Sequence, residues 1–321
     1  MIGQTLGSLG ILLGSLVAEG PPGPTPERRA IEYLSREVPR WAAENKCYSC
    51  HNNGDAARAL YDARRRGEPV SEEALADTTR WLARPEGWDK NGGESPFNDR
   101  QLARIQFASA LASAVDSRTP GARAPLVRAA ERLEADQSPD GSWPVLEGAG
   151  TLGAPASYGR PLATFVAAET LRKVDSDRFS ASVARAEQWL LARPIGSILD
   201  ASVVLLITAR RSGSRTAAIR ARAFEHLRAG QSSDGGWGPY PNTPPEPFDS
   251  ALALLALSRL EPDKSVRAMI RRGRAYLIGE QLEEGGWTGT TRPAGAESYA
   301  EHLSTTGWAT LALLATVDGE P

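Results

Sequence analysis

The sequence predicts an all-α protein, a closed (α/α)6 toroid in which six helical hairpins set an inner ring of helices inside an outer one. Three observations carry that expectation. The turns QSPDGSW (Gln137 to Trp143), QSSDGGW (Gln231 to Trp237) and QLEEGGW (Gln281 to Trp287) share one frame, with Gln six places before Trp and an acidic residue and a Gly between them. Each frame follows a charged, amphipathic run and precedes, after a Pro/Gly-rich loop, a second run that is apolar nearly all round, such as ALALLAL at 251–257. A helix apolar on every side is buried on every side, so the second runs belong inside and the charged runs outside. The frame recurs about 50 residues apart between Gln231 and Gln281, the mark of a repeat architecture.

Residues 1–26 stand apart from the toroid expected over 27–321. LGSLGILLGSLVA, Leu6 to Ala18, is apolar and uncharged, and a proline-rich stretch follows it. It is too short to span a bilayer, which takes about 20 residues. It resembles the apolar part of a secretory signal with Ala18 near a cleavage point, although the usual preceding basic residues are missing. The expectation is a periplasmic or secreted protein without a transmembrane segment.

The first hairpin, 27–66, pairs AIEYLSREVPRWAAENK with AARALYDARR around a turn that holds CYSCHNNGD instead of the Gln–Trp frame. The second, 71–116, and the fourth, 178–211, carry degenerate turns, WLARPEGW and LARPIGS. The third, fifth and sixth, 122–174, 215–260 and 264–317, carry the full frame. Second helices are expected to begin at Asp55, Asp99, Asp200, Asp249 and Thr305, because such side chains accept from the free N–H groups of a first turn, worth about 1 kcal/mol each.

Composition narrows the function. Of 321 residues, 41% are apolar and 24% charged, as in soluble globular proteins, and the net charge is −2. Without a basic excess neither nucleic acid nor an anionic membrane is an expected partner. The short basic runs at Arg64 to Arg66 and Arg271 to Arg274 read as solvated helix faces.

The Gln-x-x-Asp-Gly-Gly-Trp turn followed by ALALLAL resembles the QW repeats of squalene–hopene cyclases and of protein prenyltransferase β-subunits, over roughly residues 75 to 317. The resemblance implies an α/α toroid in which Gln137, Gln231 and Gln281 cap neighbouring helix ends while Trp143, Trp237 and Trp287 pack over them. It implies little of the chemistry. The cyclases protonate an alkene with an Asp-x-Asp-Asp cluster, and DSDR at Asp175 to Arg178 is a poor match placed between hairpins. The prenyltransferases hold zinc with an Asp, a Cys two places on and a distant His; Asp249 and His302 match two of these, but Ala251 stands in the Cys position. An apolar inner ring remains suited to an apolar small molecule.

Cys47, Cys50 and His51 include the only two cysteines in the chain and stand at CxxCH spacing, which resembles the attachment motif of c-type cytochromes. There two thiols add across the haem vinyl groups and the next imidazole binds the iron. The expectation is therefore one covalent haem c serving electron transfer or sensing, with a redox partner. Zinc on the two cysteines, or a disulfide or inert thiol pair, are the alternatives. For the far side of a haem, His302 is preferred over His226 and Met269, because ring closure sets the sixth hairpin beside the first. Bis-histidine ligation by His51 and His302 would imply electron transfer.

Overall fold

The structure, a computed structural model, describes residues 23–90, 99–145, 159–290 and 298–317; the signal-like stretch at 6–18 lies outside them. Among the described residues twelve α-helices alternate between two concentric layers. The outer layer holds α1 (Pro26–Asn45), α3 (Glu72–Leu82), α5 (Arg123–Asp136), α7 (Ser180–Ala192), α9 (Ser214–Gly230) and α11 (Lys264–Gly279). The inner layer holds α2 (Ala57–Arg65), α4 (Arg100–Asp116), α6 (Gly159–Val174), α8 (Ile198–Thr208), α10 (Pro247–Leu257) and α12 (Tyr299–Thr316). A π-helical turn, His51–Ala56, runs directly into α2. Each inner helix packs on the next, and α12 packs on both α10 and α2, so the inner ring is closed.

The inner helices come close because their contact faces are small. A Cβ on Gly307 of α12 would lie 2.9 Å from the Asp55 carbonyl oxygen, and one on Gly54 would lie 2.8 Å from Gln106 Cβ of α4. Ser71 caps α3 and Asp99 caps α4, each accepting from an N–H three residues on. Other starts differ from expectation. Asp200 is the third helical residue of a capping box headed by Ser197. α10 starts at Pro247 and α12 at Tyr299, the latter under a Ser298–Glu301 capping box, so Asp249 and Thr305 lie inside their helices. Asp55 sits within the π turn, and the residue before α2 is Ala56.

The Gln–Trp frames do one job three times. The indole N–H of Trp143, Trp237 and Trp287 donates 2.7 Å to the carbonyl of Leu133, Leu227 and Leu277, near the end of the preceding outer helix. Each Gln amide donates to the Gly carbonyl of its own turn and to a carbonyl of the next outer helix: Ser182 for Gln137, Met269 for Gln231 and Pro26 for Gln281. The third case joins the last turn to the first helix, at 2.9 Å. Arg29 of α1 answers by donating 2.5 Å to the side-chain Oε1 of Gln281, as Arg185 does to Oε1 of Gln137. The same junction carries a buried ion pair, Arg274 to Glu27 at 2.7 Å, whose guanidinium also donates to the Leu313 carbonyl and to Thr316.

Candidate functional site

Two places on the ring hold chemistry, one at the start of the inner helices and one toward their C-terminal ends. At the first, the CxxCH residues are built into the wall. Cys47 is half-buried, Cys50 and His51 are each 5% exposed, and both thiols are free. Burial, followed by the nearby Asp55 charge, pushes the Cys50 thiol far above its ordinary value. His51 Nδ1 lies 2.8 Å from Ser304 Oγ, and Ser304 donates 2.7 Å to Asp55 Oδ2. Gln106 Nε2 donates 2.7 Å to the same carboxyl oxygen. With its one hydrogen given to Asp55, the Ser304 hydroxyl accepts from His51 Nδ1–H and sets the tautomer. Burial lowers the His51 pKa to about 4, so the ring is neutral near pH 7.

The rest of the turn is fastened to three helices. Asn52 donates to the Glu37 carbonyl at 2.9 Å and to the Tyr299 hydroxyl at 2.8 Å; Asn53 donates to Thr78 at 2.8 Å. A covalent haem needs both thiols and the imidazole on one open face wide enough for a macrocycle. Here Cys50 and His51 face packed core, with Gly54 and Asp55 already at the limit of approach to α4 and α12. As folded, these residues do not fit a haem. No group of three His, Cys, Asp or Glu side chains among the described residues is arranged to hold a metal ion.

His302 is not opposite His51. Ser304 occupies that place, and two residues along an α-helix are about 200° apart, so His302 looks the other way. Its ring meets Tyr33 edge-on at 5.6 Å and its Nε2 lies 3.8 Å from Glu284. Asp249 and Ala251 are buried on α10, and His226 and Met269 stand on the outer helices α9 and α11.

Farther along the ring an axial cavity of about 90 Å³ opens to solvent at its mouth. Phe165, Val166, Leu206, Leu255 and Trp308 give it an apolar wall, and Arg58, Glu169, Lys173 and Arg259 give it charges. Two of its hydroxyls are turned into their own helices: Ser109 donates to the Gln106 carbonyl and Thr170 to the Val166 carbonyl, at 2.9 and 2.8 Å. These two hydroxyls therefore add little polarity to a wall whose polarity comes from its charged side chains. The Arg58 guanidinium lies 4.7 Å over the Trp308 ring, within cation–π range. Sequence reasoning did not single out these residues. Their signal was a charge interrupting an apolar inner helix, as Arg58 interrupts AARALY and Glu169 interrupts FVAAETL.

No family model matches the chain. Drimenyl diphosphate synthase from Streptomyces showdoensis is 38% identical over 86 residues, which is 27% of this chain and 15% of that relative. The chain thus aligns with only a small part of the relative's length. Among solved structures, the type II terpene cyclase MstE from Scytonema in complex with merosterolic acid A superposes with a TM-score of 0.60 at 12% identity, covering 92% of this chain and 98% of that one. The same enzyme in complex with geranylgeranyl dihydroxybenzoate gives 0.57 at 12% identity, over 91% and 99%. A protein from Actinoplanes gives 0.58 at 17% identity, over 91% and 98%. The chain has the α/α toroid fold of the terpenoid cyclases.

Proposed function

We propose that this toroid binds an isoprenoid or similarly apolar chain in its axial cavity. The observation that carries the reading is the cavity wall: aromatic and aliphatic side chains from four inner helices, with the Ser109 and Thr170 hydroxyls turned away. The names of the similar proteins point the same way, since one is a drimenyl diphosphate synthase and another is a cyclase seen with a geranylgeranyl compound.

Cyclisation of that chain is a second reading, favoured by the likeness to type II terpene cyclases across most of the chain. It requires a protonated acid at the ligand. Glu169 is the carboxyl on the cavity wall, and it pairs with Arg172 and Arg210, an arrangement that favours the ionised form. Binding without cyclisation is therefore the better-supported function. Native mass spectrometry with geranylgeraniol tests it: a 1:1 complex is expected, and Leu255→Trp, which fills the cavity, should abolish it. No complex with the unaltered protein would overturn the reading. A cyclic product in an extract of the same mixture would replace it with the second.

A further inference from the structure

Two guanidiniums on the cavity wall pair with no carboxylate among the described residues. Arg58 stands in the first turn of α2, and its Nη1 is shut off from solvent with no hydrogen-bond partner among the described residues. Arg259 lines the same cavity from its rim, just beyond α10, and forms no salt bridge among the described residues. The carboxylates nearby are engaged elsewhere. Glu169 pairs with Arg172 and with Arg210 at 3.6 Å, Asp62 with Arg65 at 2.6 Å and Arg66 at 2.9 Å, and Asp116 with Lys173 at 2.6 Å. The Arg259 guanidinium is held below the usual arginine value, first by desolvation against the wall and then by the charge of Arg210, with Arg58 and Arg66 adding to it; Asp62 opposes them.

The negative end of a helix dipole attracts a cation, which accounts in part for Arg259 at the end of α10. It does not account for Arg58, which sits at the opposite end of its helix from the carbonyl terminus. Shielding a cationic N–H group from water without a partner is costly, and an anion spanning the two side chains removes that cost. Guanidinium groups suit this task because their planar forks match the two oxygens of a phosphate or carboxylate.

We propose that Arg58 and Arg259 seat an oxyanion, the phosphate or carboxylate head of an amphiphile whose apolar chain lies along Trp308, Phe165 and Leu255. This rests on the cavity being the ligand site. The head then occupies the mouth and the chain runs toward the ring interior, so the ligand enters tail first.

The test is a titration of the full chain with three probes sharing one tail: geranylgeraniol, geranylgeranyl diphosphate and geranylgeranoic acid. At least one acidic probe should bind about tenfold or more tightly than the alcohol, as for a charge-assisted contact. The preferred acid identifies the head as phosphate or carboxylate. The preference should vanish in Arg58→Met and fall in Arg259→Gln, with affinity for the alcohol unchanged in both. Equal affinity for all three probes in the unaltered protein overturns the oxyanion site and leaves the apolar cavity standing. Failure of every probe to bind overturns both. Should Arg58→Met not fold, Arg259→Gln decides, because that side chain is exposed at the rim; a preference undiminished there refutes the site.

Discussion

His51 makes the stability of the ring depend on pH in a calculable way. Its pKa is lowered by burial from 6.5 to about 4, while the unfolded chain keeps the ordinary value. Below pH 6.5 the unfolded state takes up the proton first, so acid favours unfolding. The contribution is fully present above pH 6.5, falls as the pH drops toward 4, and is constant below that. Integration gives a loss of about 2 kcal/mol between pH 7.5 and 5, and about 3 kcal/mol once pH 4 is passed. Carboxylates titrate over part of this range too, so the comparison must be with a variant. His51→Gln retains a polar group near Ser304 but cannot gain the proton. Urea unfolding followed by far-ultraviolet circular dichroism at pH 7.5 and 5 should show the unaltered protein losing about 2 kcal/mol more than the variant. Equal losses would mean that the imidazole is solvated in the folded state, and the buried His51–Ser304–Asp55 chain would be refuted.

Other outcomes follow from named contacts. Glu27→Ala leaves Arg274 charged and buried at the junction of α1, α11 and α12, and should cost about 3–5 kcal/mol in urea unfolding; a loss below 1 kcal/mol would show that the junction is open. Iodoacetamide at pH 8 should label Cys47 and spare Cys50 in the folded protein and label both in urea, read by peptide mass. Gly67→Ala meets nothing within 4 Å and should cost about 1 kcal/mol from its positive φ alone; Gly285→Ala also brings a Cβ within 2.4 Å of the Arg29 carbonyl oxygen and should cost measurably more. Protein made in cells able to attach haem should give no haem stain on a denaturing gel, the band and its intact mass being those of the bare chain.

Much of the scaffold is legible from the Gln–Trp frames because they recur and because each residue in them has one physical task. Gln281 and Trp287 lie in a turn whose spacing alone places a donor at the next hairpin. The arginines that complete the frame, Arg29 and Arg185, are not legible: they come from another repeat, and arginine on an outer helix ordinarily reads as solvated surface. The start of α12 is not legible, because the hydroxyl of Thr305 has the form of a cap while lying inside the helix. The real signature, Ser298 with Glu301 three places on, is of the recognised capping-box form but precedes no clean apolar run. The CxxCH spacing is legible as a motif, whereas its setting in the wall is not. Spacing constrains neither the depth of Cys50 nor which face of α12 meets His51, and both depend on how closely three inner helices approach. Arg58 shows the complementary gap, since only closure of the ring reveals that a cation in α2 overlies an indole in α12.

The seam between α11 and α1 repeats the glutamine bonds of the seam between α5 and α7, down to an arginine donating to the glutamine Oε1. Mechanically the circle has no privileged starting point. Arg274 reaches both Glu27 and Thr316, which brings the two extremities of the described chain together. A circular permutant, with those extremities tethered and new ones opened in the connection after Thr208, should assemble the same ring.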